Sequence, residues 1–184
     1  MAGRNLARKL AVLGCLAITG CGSIVGATHP TPSVAAIPTA PAVLTFHPTS
    51  QAIRVEGGCG ATAVYRGGIS PSLDEAGGHN NPGDLPYAIA DPPIAAGFLF
   101  SYPLRHGPEG NKILWVVGAP RNGATLSITM HPLDAPQPVV LLTKPADSWP
   151  GEIYPSGETV PTAGCWVLTL RWGTHQAEAQ LRFS

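Results

Sequence analysis

Cys165-Trp166-Val167-Leu168-Thr169-Leu170-Arg171-Trp172-Gly173-Thr174-His175-Gln176-Ala177-Glu178-Ala179-Gln180-Leu181-Arg182-Phe183 is two alternating runs around one short connection. Trp166, Leu168, Leu170 and Trp172 fall on one side of the first run. Ala177, Ala179, Leu181 and Phe183 fall on one side of the second, opposite Gln176, Glu178, Gln180 and Arg182. Successive side chains of a strand point to opposite faces, so this period of two, broken only at Gly173-Thr174, predicts an antiparallel hairpin with one buried face.

Upstream, the same reading continues. Residues 124–130 put Leu126, Ile128 and Met130 on one side and Thr125, Ser127 and Thr129 on the other, a half-buried strand. Ile113-Leu114-Trp115-Val116-Val117 is apolar throughout, which predicts a central strand covered on both faces, with residues 98–102 and 139–143 as shorter strands of that type. No segment has a convincing helical period. Gly (22) and Pro (20) are frequent enough to supply the turns between many short strands, and charged residues are only 12% of the chain. That mix predicts an all-β domain, a β-sandwich. Residues 67–93, with Asn80-Asn81-Pro82-Gly83 among them, have little strand character and read as either a mobile loop or a capping insertion.

The closing hairpin, with Gly164-Cys165-Trp166 opening its first strand, resembles an immunoglobulin-like arrangement. A true antibody-type domain carries its core Trp shortly after the first cysteine, and here Trp115 stands far downstream of Cys59. The expectation is an Ig-like sandwich in the broad sense.

The N-terminus decides location. Arg4, Arg8 and Lys9 precede an apolar segment at residues 10–18, too short for the ~20 residues of a membrane span, and Ile18-Thr19-Gly20-Cys21 follows. Those four residues resemble the bacterial lipobox, which implies cleavage after Gly20 and lipidation of Cys21. Two or more acyl chains hold a protein on a membrane, so a diacylglyceryl (palmitate-type) Cys21 would suffice as the membrane partner. The expected organisation is a lipoprotein signal peptide at 1–21, a disordered Pro/Ala/Thr-rich tether at 22–44 and the β-sandwich at 45–184, on the extracytoplasmic face of the cell membrane. The tether contains Pro30, Pro32, Pro38 and Pro41 and no charge. Beyond the signal the chain has eight basic and eleven acidic residues, a net −3, so it is no nucleic-acid binder.

Outside the membrane two cysteines remain, Cys59 and Cys165. An even pair in an oxidising compartment reads as a disulfide. The alternative, a reactive thiol, has no Cys-x-x-Cys. The Ser-His-Gly-Cys run of peptidoglycan L,D-transpeptidases is matched only by Thr162-Ala163-Gly164-Cys165, without the histidine.

For metal or small-ligand carriage the candidates are His106, His131 and Met130, none at ligand spacing with another histidine or a cysteine. Asp74-Glu75, Asp84 and Asp91 lack the alternating oxygen ligands of a calcium loop. Ser148 and Ser156 are the nearest serine nucleophiles for a hydrolase, but neither sits in a Gly-x-Ser-x-Gly elbow. Gly57-Gly58 and Gly67-Gly68 lack a phosphate-binding Lys, so no cofactor is expected. Trp115 and Trp166 read as core; Trp149 and Tyr154, in a Pro-flanked loop, read as an exposed ligand contact.

Asn111-Lys112-Ile113-Leu114-Trp115-Val116-Val117, Pro150-Gly151-Glu152-Ile153-Tyr154-Pro155-Ser156 and Ala163-Gly164-Cys165-Trp166 resemble stretches of uncharacterised lipoproteins of high-GC Gram-positive (actinobacterial-type) bacteria. That resemblance implies anchoring and a β-sandwich, and carries over no activity. The functional expectation is therefore a non-enzymatic binding module of the cell envelope, its partner another envelope protein, a glycan or a small ligand.

Overall fold

The computed structural model describes residues 42–80 and 83–184. The signal peptide, Gly20 and Cys21, and the tether up to residue 41 lie outside the described residues. The elements are β1 (Ile53–Val55), β2 (Val64–Arg66), α1 (Pro71–Ala76), β3 (Tyr87–Ile89), β4 (Ala95–Leu99), β5 (Asn111–Val117), β6 (Leu126–Pro132), β7 (Val140–Lys144), β8 (Ile153–Glu158), β9 (Gly164–Trp172) and β10 (His175–Phe183).

They form two antiparallel sheets, ordered β1-β2-β3-β4-β5-β8 and β10-β9-β6-β7. The β4–β5 hairpin lies in the first sheet and the β6–β7 and β9–β10 hairpins in the second, with β8 returning beside β5. Three strands A-B-E against four strands G-F-C-C′ is the immunoglobulin-like order, here with β1, β2 and β3 added outside strand A. The domain is an Ig-like β-sandwich.

The closing hairpin has the register that its alternation predicts, from His175 opposite Trp172 to Phe183 opposite Gly164. Gly173 turns it at φ +53°, a left-handed conformation that costs glycine nothing. Trp166, Leu168, Leu170, Ala177, Ala179 and Leu181 are buried and face Ile113, Trp115 and Val117 of the other sheet. Gly97 of β4 lies directly beside the Trp115 indole: a Cβ there would come 2.8 Å from the ring. Only glycine lets that large side chain lie against its neighbouring strand.

Strand β5 is covered on both faces. Its second face carries Val116, under Phe46, Leu73 and Ala76. Apart from Phe46, this cover comes from the segment at 67–93, which is a capping insertion and not a loose loop: it contains α1 and β3. Ser70 caps α1, accepting from the Leu73 amide, and Pro71 starts it. The chain is tied to the sandwich from Leu44, whose amide donates to Gly118 O at 2.8 Å.

Two strand expectations need correction. Residues 98–102 hold only the end of β4, which begins at Ala95, because Ala95, Ala96 and Gly97 are the small residues that fit beneath Trp115 and the cap. Residues 139–143 are not covered on both faces. They overlap the edge strand β7, in which Leu141 is 65% exposed, and Val139 just before it is 46% exposed. A continuous apolar run has the same signature whether it is buried on both sides or stands at an edge.

Candidate functional site

The strands give the sandwich two ends. One is where β5 begins at Asn111 and β9 at Gly164; the other is where β5 finishes at Val117 and β9 at Trp172. Each end carries a distinct surface feature.

At the second end is Trp149, 86% exposed. Its loop is held from below by Arg121, whose side chain is only 11% exposed. Nη1 of Arg121 donates to Ile153 O at 2.6 Å, and Nη2 donates to Ser148 O at 2.9 Å and Gly151 O at 2.8 Å. Its backbone N and Nε both donate to Glu152 Oε2, at 2.7 and 3.2 Å. One guanidinium thereby satisfies three main-chain carbonyls on both sides of the indole, a use that depends on its fixed fork of five donors. The guanidinium also lies 5.4 Å from the Tyr154 ring centroid. Tyr154 itself is a correction: it is fully buried, its hydroxyl donating to Ala124 O at 2.7 Å. Of the Pro flanks that made it look like a loop residue, Pro155 belongs to β8, where Tyr154 faces inward.

At the first end is a groove of about 730 Å³ between residues 56–58, the turn after β4 and the end of β10. Its floor is held by main-chain bonds along the outer edge of β10: Cys59 N to Gln180 O at 2.9 Å and Arg182 N to Gly57 O at 2.8 Å. The disulfide Cys59–Cys165, Cα–Cα 5.9 Å, fastens the same segment to the start of β9. It joins a segment outside the named strands to the start of the interior strand β9, unlike the bridge between two facing sheets in an antibody domain. Tyr102 donates from its hydroxyl to Glu56 O at 3.1 Å and is stacked by Arg66, 5.9 Å from the ring centroid.

Beneath this end lies a buried polar group that the sequence reading did not single out. Glu158 is fully buried; its Oε1 accepts from Trp115 Nε1 at 2.9 Å and is hydrogen bonded to Ser156 Oγ, while Oε2 has no partner. Burial pushes its carboxyl up to about 7, against the hydrogen bonds from Ser156 and Trp115. Ser156 Oγ also bonds Ile113 O at 3.1 Å. A hydroxyl has one proton, so both Ser156 bonds are made together only when Glu158 is the neutral acid and donates one of them. Asn111, 1% exposed, ties this cluster to the surface: its Nδ2 donates to Glu158 O and Arg105 O, and its Oδ1 accepts from Arg105 N.

The remaining sequence candidates stay apart. Met130 is fully buried in the sandwich core. His131 Nδ1 lies against the carbonyls of Pro132 and Ala135, and His106 Nδ1 against Ser184 O. Among the described residues no group of three His, Cys, Asp or Glu is placed to hold a metal ion. Ser156 is buried, its hydroxyl bonded to Ile113 O and Glu158, and Ser148 Oγ reaches only Asp147, at 3.5 Å. Comparison with protein families, curated proteins and solved structures gives no match to this chain.

Proposed function

We propose that this chain is a lipid-anchored, extracytoplasmic binding module of the cell envelope, without catalytic activity, in which the Trp149 loop is a contact for another envelope component. The observation that carries this reading is Trp149 itself: an 86% exposed indole on a loop whose main chain is bonded on both sides by Arg121. An apolar side chain in water is stabilised by nothing on its own protein, and a loop already held in place loses little entropy on association. That combination of a large aromatic anchor and prior ordering is what hot spots of interfaces use.

The lipobox-like Ile18-Thr19-Gly20-Cys21 supplies the anchor in this reading, and the Cys59–Cys165 disulfide fits an oxidising compartment. Absence of catalysis fits the enclosure of Ser156 and Glu158 in the core. Replacement Cys21→Ala should release the chain from membranes into the soluble fraction; retention in the membrane would overturn the anchor assignment. Trp149→Ala should leave the chain anchored and folded and remove its crosslinks to envelope partners. Unchanged crosslinks would remove the contact from Trp149.

A further inference from the structure

We infer that the groove at the Asn111 end of the sandwich binds an extended polyanionic polymer, whose phosphate or carboxylate groups pair with Arg54, Arg105 and Arg182. The groove is the central one of three adjoining concavities that together make a trough. The central concavity, lined by Arg182, shares Glu56 and Gly58 with a second of about 450 Å³ lined by Arg54. It shares Tyr102 and Pro103 with a third of about 490 Å³ lined by Arg105. Each part is lined by one arginine.

Those guanidinium groups are uncommitted. Among the described residues the ion pairs are His79–Asp74 and Arg121–Glu152, and the side chains of Arg54, Arg105 and Arg182 make no hydrogen bond. Charge is also segregated. With Arg66 stacked on Tyr102, four arginines stand at the trough against two acidic side chains, Glu56 and Glu109, while the rest of the described chain carries four basic and nine acidic side chains. A net-negative protein with its arginines gathered in one depression presents a local attractive field for anions.

The shape selects among anions. A single small anion would engage one part of the trough and leave two guanidinium groups idle; a chain with repeating charge occupies all three. A flat bilayer of anionic headgroups cannot enter a concavity, so a polymer strand fits better than a lipid surface. Arginine's planar fork pairs with phosphate and carboxylate alike, so both anion types share this site chemistry. The walls are already ordered, by the disulfide on one side and by Asn111 holding the Arg105 main chain on the other.

The test uses the full chain in nonionic detergent with three probes: inorganic polyphosphate, polygalacturonate, and mixed micelles containing an anionic phospholipid. At least one polymer should bind, its affinity falling roughly twentyfold between about 50 and 200 mM salt, a slope of roughly 0.7 for each of the arginines engaged. The triple variant Arg54→Gln, Arg105→Gln, Arg182→Gln should bind it at least tenfold more weakly. The variant Arg171→Gln, at the Trp172 end of β9 and away from the groove, should bind as the parent does. Which polymer binds then identifies the anion. Absence of polymer binding, an equal loss in Arg171→Gln, or arginine-dependent binding of the anionic micelles alone would each overturn the proposal, the last by assigning the arginines to a membrane surface. The Trp149 loop is untouched by these substitutions, so this outcome is independent of the protein-contact reading.

Discussion

The two ends of the sandwich solve the same problem with opposite chemistry. At the Val117 end an arginine is buried to hold main-chain carbonyls, and it presents an apolar indole to solvent. At the Asn111 end an asparagine and a disulfide do the holding, and the exposed groups are arginines. Each surface includes loop residues, and in both the loop backbone is bonded to the sandwich before any partner arrives. Preorganisation of this kind lowers the entropy lost on binding whatever the ligand. The difference teaches that arginine's role follows its partners: four of the five side-chain donors of Arg121 are engaged by its own protein, whereas Arg54, Arg105 and Arg182 have all of theirs free.

The largest expected effect breaks the Asn111 end. Replacing both Cys59 and Cys165 by serine opens a loop spanning a sequence separation of 106. Chain-entropy reasoning puts the loss of unfolding free energy at about 4 kcal/mol, readable as a lower urea midpoint. Hydrogen exchange should rise at Cys59 and Arg182, whose amides bond across that edge, and stay unchanged in the 148–153 loop. Opening of both ends together would show that they are not independently held.

A slightly smaller effect is expected at the other end. Arg121→Ala leaves three partly buried carbonyls without a donor, at a cost of about 3–4 kcal/mol. Trp149 fluorescence anisotropy should fall as its loop gains freedom, while polymer binding at the groove should persist.

Glu158 sharpens the comparison through pH. Its folded-state value, about 7, stands above the ordinary 4.5, so the native domain binds this proton more tightly than the unfolded chain does. The neutral form carries no penalty below pH 4.5. Stability is lost as pH rises from there to about 7 and is level above, a change on the order of 3 kcal/mol. Glu158→Gln, whose amide can donate to Ser156, should flatten that slope in urea melts from pH 4 to 8. An unchanged slope would assign the pH dependence to another group.

What the sequence made legible follows from periodicity. β9, β10 and β6 each alternate strictly over several residues, and β5 is apolar throughout, so their faces are readable directly. The helix α1 has six residues, too few to show a period, and only Ser70-Pro71 with acids behind it marks its start. Strand β8 escaped because its inward residues are Tyr154, Ser156 and Glu158: a polar set on a buried face inverts the usual signal. The same inversion made Tyr154 look exposed and hid Glu158 altogether. The groove was illegible for a different reason. Its arginines stand at positions 54, 66, 105 and 182, and only the fold brings them to one end. Trp149 was readable because a Pro-flanked tryptophan outside any alternating run has no core to enter.

The most direct test of the account is site-specific photo-crosslinking in intact membranes, with the photoreactive residue at position 149 and, separately, at Thr129 on the open face of the four-stranded sheet. The account predicts a discrete adduct from position 149, absent from position 129 and lost when Arg121→Ala frees the loop. Identical adducts from both positions, or none from position 149 despite efficient activation, would contradict the reading of this protein as an envelope binding module that works through Trp149.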